Sequence, residues 1–131
     1  MYILSFLCPF IIIISSTIFS SMTFAADPVF NSVNRHYYQL VEIYPGLNWS
    51  EAKAAAEALE YNRRPGYLAT ITTEQEQDFV VSNFPKLRPN HVWLGASDEA
   101  NEGWFSWITG ESDGYGIGRG GMYANWDSGE P

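Results

Sequence analysis

Cysteine is nearly absent: the 131 residues hold one, Cys8, inside a charge-free apolar segment at the N-terminus. A chain that loses this segment can form no disulfide, and it has no soft zinc site, haem-attachment motif or thiol nucleophile. Basic residues are scarce as well. Seven Lys and Arg stand against fifteen Asp and Glu, a net charge of −8, and the seven are scattered rather than gathered in a patch. This excludes nucleic acid as a partner, since phosphate binding needs a basic surface. The chain has no internal repeat, and its length is enough for one domain on a prior of roughly 100 to 200 residues each.

What is present reads as globular: 46% hydrophobic, 16% aromatic and 17% charged residues, with glycine and proline enough for many turns and long loops. Met1 to Ala26 carries no charged side chain, and Ile3 to Ile14 is rich in Ile and Leu. The apolar run is shorter than the ~20 residues of a membrane span and contains Pro9, so residues 1–25 read as an export signal cleaved after Ala25. No Lys or Arg precedes the run, a departure from the usual signal. The expected location is secreted, extracellular or periplasmic, with the membrane met only through this segment. Residues 26–34 read as a leader and 35–131 as the domain.

His36 to Ile43 alternates, with Tyr38, Leu40 and Glu42 on one face and Tyr37, Gln39, Val41 and Ile43 on the other, as in a first strand. Asn48-Trp49-Ser50-Glu51 matches a capping box for a helix running to about Leu59, with Trp49, Ala52, Ala56 and Leu59 on one face. It also fits a glycosylation sequon, but capping is the better reading at a helix start. Arg63 to Gly66 is a turn, and Tyr67 to Ile71 a strand. Thr73 to Glu76 is a second capping box, opening a helix with Phe79, Val80 and Phe84 inward, ended by Pro85. Val92 to Ala96 and Gly103 to Ile108 are the last two predicted strands.

Seven carboxylates lie between Ser97 and Pro131, against one base, Arg119. Such an imbalance favours water or a hard cation with oxygen ligands. Trp93, Trp104, Trp107 and Trp126 are read as core rather than as a stacking row, because large aromatics dominate core burial. Tyr115 and Tyr123, in the Gly-rich stretch, are the better ligand contacts. Lone His36 and His91 read as structural. The Gly114 to Gly120 alternation is no phosphate loop, since no helix pattern follows it and its surroundings are acidic.

The order strand, helix, Tyr67 to Ile71 strand, helix, Trp93-Leu94-Gly95-Ala96, then Asn125-Trp126-Asp127-Ser128-Gly129-Glu130-Pro131, resembles the C-type lectin-like domain over roughly His36 to Pro131. It is most similar to the cysteine-free versions of exported bacterial proteins. The resemblance implies an α+β fold: two helices flanking small antiparallel sheets with a long loop region. Three departures stand out. Ala56 occupies a position where many members place a disulfide cysteine, Gly114 to Gly121 is an insertion, and the motifs and final strands expected after Pro131 are missing, so by resemblance the strand His36 to Ile43, which lies beside the last strand in the family, is expected to lack its partner and expose backbone groups. By resemblance, Glu130 is a ligand of a sugar-binding Ca²⁺ site, and Asp98 and Glu102 belong to an auxiliary Ca²⁺ site. Tyr123 and Tyr115 then serve beside Glu130 as ligand contacts. With so many ligands absent, calcium is expected to be weak or absent in this chain and present in a complete parent.

The resulting expectation is a non-enzymatic, calcium-dependent carbohydrate-binding module with a glycan or polysaccharide partner. One alternative is a metal-independent adhesion or protein-interaction module on the same fold. The remote alternative is a glycosidase using two of Glu99, Glu102, Glu111 and Glu130, which would need a pair of carboxyls about 5 to 10 Å apart.

Overall fold

The computed structural model of the chain describes residues 2–6, 21–24, 27–87, 91–110 and 116–130. The strands are β1 (Tyr2–Phe6), β2 (Ser21–Phe24), β3 (Val29–Asn31), β4 (His36–Tyr44), β5 (Glu60–Tyr61), β6 (Arg64–Pro65), β7 (Tyr67–Leu68), β8 (Ala96–Ser97) and β9 (Ser106–Trp107). Helices α1 (Trp49–Glu57) and α2 (Glu74–Asn83) flank them, giving the α+β architecture expected. A short 3₁₀ turn, Pro85–Leu87, follows α2 where Pro85 removes a backbone donor.

The main sheet is built on β4. Its aromatic and β-branched residues alternate as predicted, and the two faces feed two different clusters. Tyr38 and Leu40 join Ala69, Ile71, Val80, Phe84, Trp107 and Ile117. Val41 joins Ala52, Ala56 and Leu68, with Tyr37 and Ile43 packed against them. Between them the faces enclose α2 on one side and α1 on the other.

Contrary to expectation, β4 is paired along both edges. β1 runs antiparallel to it from Tyr2 opposite Val41 to Phe6 opposite Tyr37, and β1 also pairs β7. On the other edge lie β2, opposite Val41 to Tyr44, and β3, opposite His36 to Tyr38. The segment expected to be an export signal thus supplies two strands, and the expected leader supplies β3. A short apolar run is equally suited to a signal and to a buried strand, so periodicity cannot separate them. Cys8 and the Ala25 cleavage position lie outside the described residues. Among the described residues no helix is long and apolar enough to cross a membrane.

The capping box of α1 forms in full. Asn48 Oδ1 accepts from Glu51 N at 2.9 Å, and Glu51 Oε2 accepts from Asn48 N at 2.9 Å. Ala52 and Ala56, both fully buried, let α1 lie close to the sheet. Asn48→Ala is expected to lower stability by about 1 kcal/mol, read from the urea midpoint. An unchanged midpoint would show that the cap is not contributing.

Two local readings need correction. The turn after α1 is centred on Asn62 and Arg63, whose φ values of 54° and 63° form a tight hairpin joining β5 to β6. Such turns take positive φ at both central positions because this twist matches the strands. Arg64 and Pro65 are therefore strand residues, and the strand predicted for Tyr67 to Ile71 is regular only over β7. The second capping box is half formed. Thr73 Oγ1 accepts from Glu76 N at 3.2 Å, but the Glu76 carboxylate turns inward. It accepts from Tyr38 Oη, from Asn34 Nδ2 at 3.0 Å, and from Thr72 N and Oγ1 at 2.8 and 3.1 Å. A buried carboxylate with this many donors is fully satisfied, and the N-cap backbone loses the competition.

Candidate functional site

The last two predicted strands shrink to β8 and β9, which pair Ala96 with Trp107 and Ser97 with Ser106. Among the described residues everything between and after them is loop, and Asp98, Glu102, Asp127 and Glu130 sit on or beside short closed turns. Asp98 begins the first turn. Its carbonyl accepts from Asn101 N at 2.9 Å, and its Oδ2 accepts from Gly103 N at 3.1 Å. Asp98 is half-buried, whereas Glu102 on the same turn is exposed. Ser97 Oγ holds Glu99 N at 3.1 Å, which fixes the entry to the turn.

The second loop is tied to the first through backbone and rings. Ile117 N donates to Phe105 O at 2.8 Å, and the Ile117 side chain is buried in the core, a role that a glycine-rich stretch does not advertise. Arg119 lies over the Trp104 ring at 4.3 Å from its centroid, a cation–π contact that takes up the segment's single base. Phe105 and Trp126 meet edge to face at 5.5 Å. Beyond Trp126 a turn forms, with Asp127 O accepting from Glu130 N at 3.0 Å and Gly129 at φ 92°. The Phe105–Trp126 contact therefore joins the turn of Asp98 and Glu102 to the segment of Glu130.

The tryptophans do not all belong to the core. Trp107 is buried, but Trp93 and Trp126 are 41% and 39% exposed. Strand alternation predicts burial only where a strand persists, and Trp93 and Trp126 lie outside β8 and β9. The indole of Trp93 donates to Leu47 O at 2.7 Å and that of Trp49 to Leu94 O at 2.8 Å, tying the start of α1 to the Trp93 segment. Tyr123 packs against the larger cluster. Its phenol is pushed up from the ordinary value by burial and then by the charges of Glu74 and Asp78. Tyr115, Glu111 and Asp113 lie outside the described residues. His36 Nδ1 is 3.3 Å from Tyr67 Oη.

As a donor set, Asp98, Glu102 and Glu130 suit a hard cation, which takes six to eight oxygens from carboxylates, amides and backbone carbonyls. Among the described residues no three of His, Cys, Asp and Glu gather closely enough to hold a metal. The carboxylates on these turns would need other oxygens to complete a shell.

Comparison with known proteins bears on the same residues. The chain is 37% identical over 111 residues to halomucin of Haloquadratum walsbyi, an alignment covering 79% of this chain and 1% of that protein. It is 36% identical over 80 residues to salivary C-type lectin 2 of Aedes albopictus, covering 56% of this chain and 48% of that one. It is 33% identical over 85 residues to human C-type mannose receptor 2, covering 65% of this chain and 5% of the receptor. The chain thus spans under half the length of each of these relatives. No solved structure matches it significantly. The family model described as the lectin C-type domain matches residues 46–131, which take in α1, α2, both acidic turns and every ring contact of the loop region. With two helices, small antiparallel sheets and that match over most of its length, the chain belongs to the C-type lectin domain family.

Proposed function

We propose that this chain is a non-enzymatic, calcium-dependent carbohydrate-binding module of an exported protein. The observation that carries the reading is the joining of two acidic turns by the Phe105–Trp126 contact, at 5.5 Å. It ties the segment that follows the Asp98 turn to the segment that leads to Glu130. Lectin names among the relatives, one of them a mannose receptor, support a saccharide ligand.

In this reading Glu130 contributes one oxygen to the ion and another to a sugar hydroxyl, while Asp98 and Glu102 serve a neighbouring ion. The half-buried Asp98 is held in place by the Gly103 N–H, so one of its oxygens is oriented before any ion arrives. When bound, calcium would offer open positions to two adjacent hydroxyls of a sugar. Tyr123 and Tyr115 are the aromatic ligand contacts of the proposal. Residues 1–25 direct export in this reading, and their removal would vacate the β4 positions paired with β1 on one edge and with β2 on the other.

Retention on mannose- or glucose-substituted resin tests it. In its complete parent the domain is expected to bind in calcium, to elute with chelator, and to bind at least about tenfold more weakly as Glu130→Gln. Retention indifferent to chelator would favour a metal-independent interaction module, and chromogenic glycoside hydrolysis lost with one Glu→Gln change would favour an enzyme.

A further inference from the structure

The basic residues are scattered along the sequence, but the fold gathers three of them on two neighbouring hairpins. The β3–β4 turn is held closed by Asn31, whose Oδ1 accepts from Val33 N at 3.0 Å and whose carbonyl accepts from Arg35 N at 2.8 Å. The β5–β6 turn closes through Asn62 and Arg63, both at positive φ. Three rings tie the hairpins together. Phe30 lies opposite Tyr37 in the β3–β4 register with ring centroids 4.8 Å apart, and the Tyr37 and Tyr61 centroids are 5.0 Å apart. Arg35 stands two residues before Tyr37, Arg63 two residues after Tyr61, and Arg64 opposite Tyr61 in the second hairpin. All three arginines are exposed, and Phe30 is 46% exposed. Residues 29–37 and 60–65 carry these three guanidinium groups against a single carboxylate, Glu60.

This charge finds no counterpart within the chain. Among the described residues neither the three arginines nor Glu99, Glu102, Asp127 and Glu130 form an ion pair. Those four carboxylates are exposed on the final loops, where the single base, Arg119, already lies over the Trp104 ring. A net charge of −8 keeps copies of a chain apart, but complementary local surfaces can overcome it at close range, and interfaces are enriched in Arg and aromatic residues. Here both complementary surfaces are on the same molecule. We infer that the arginine surface of the two hairpins docks the acidic final loops of a second copy of this chain, head to tail. Because the two surfaces differ, the contact is heterologous and repeats from copy to copy instead of closing as a two-fold pair. It requires neither the ion nor the saccharide of the proposed function and goes beyond that reading.

Sedimentation velocity of the full chain in EDTA tests this. At about 20 mM salt the average mass is expected to rise with concentration past that of a dimer, and at about 0.5 M salt to return to the monomer's as the charges are screened. Arg63→Gln with Arg64→Gln, and Glu99→Gln with Asp127→Asn, should each self-associate at least about tenfold more weakly, since each pair of changes weakens one of the two surfaces. Mixed in equal amounts, the two variants are expected to form a dimer and stop there, because they share one intact contact and leave only neutralised surfaces at the ends. Unchanged melting temperatures check that both variants are folded. Monomer at every salt concentration, association indifferent to the arginine changes, or no dimer in the mixture would overturn the inference. So would capture of the chain by anionic vesicles or polyglutamate without self-association, which would give the arginines a different occupant. With calcium chelated throughout, failure here leaves the resin test of the proposed function untouched, and failure of the resin test leaves this result untouched.

Discussion

Gly95→Ala is expected to destabilise the domain by about 3 kcal/mol, seen as a fall of roughly 10 to 20 °C in Tm. Gly95 N donates to Ala69 O at 2.9 Å, and Gly95 O accepts from Ile108 N at 2.8 Å, so its backbone joins the centre of the molecule to the loop region. A Cβ here would lie 2.5 Å from the Leu68 carbonyl oxygen and 3.0 Å from Ile108 Cγ1. The first of these neighbours is backbone and cannot swing away as a side-chain end could. Relief requires β7 to part from the Gly95 segment, which loosens Leu68 in its cluster and carries the Asp98 turn with it. Gly46→Ala provides the control, because nothing lies within 4 Å of a Cβ at that position. The control should change stability by no more than about 0.5 kcal/mol. Equal melting temperatures for the two variants would show that the close approach at Gly95 is not a constraint.

The second large effect is expected at the Glu76 cluster. Glu76→Leu removes the acceptor of Tyr38 Oη, Asn34 Nδ2, Thr72 N and Thr72 Oγ1 at once. Buried donors left without partners cost about 1 to 3 kcal/mol each, so a loss of about 3 kcal/mol or more is expected. The same cluster predicts an alkaline response. Burial, then the hydrogen bond to Glu76 and its charge, push the Tyr38 phenol well above its ordinary value of 10.0. The unfolded chain therefore releases this proton near pH 10 while the folded chain keeps it. The stability contributed by neutral Tyr38 is full below pH 10 and declines above it, by up to about 1.4 kcal/mol per pH unit for this one group. Urea unfolding between pH 8 and 11 should show a steeper alkaline decline for the parent than for Tyr38→Phe. Parallel declines would remove Tyr38 from the account.

Much of this was legible in the residues. Asn48 and Glu51 announced the start of α1 because a capping box is a local exchange of hydrogen bonds, complete within four residues. The alternation along His36 to Ile43 separated the two core clusters because strand periodicity assigns faces without reference to the partner. Glu76 was misread for the converse reason. Its spacing from Thr73 satisfies the capping pattern, but Tyr38 and Asn34 lie far away in sequence, and their donors claimed the carboxylate. Trp93 and Trp126 were assigned to the core on bulk alone, and bulk does not reveal that each lies beyond the end of a strand.

The sequence by itself determined the family, the two helices, the two-faced strand β4 and the acidic character of the final loops, since these rest on composition and on spacings within a turn or two. Only the tertiary structure decided that Tyr2–Phe6 lies between β4 and β7, that Glu76 faces inward, and that Phe105 and Trp126 join the two acidic turns. Those outcomes come from contacts between distant segments, where an apolar run, a carboxylate or an indole has several acceptable environments and packing selects one.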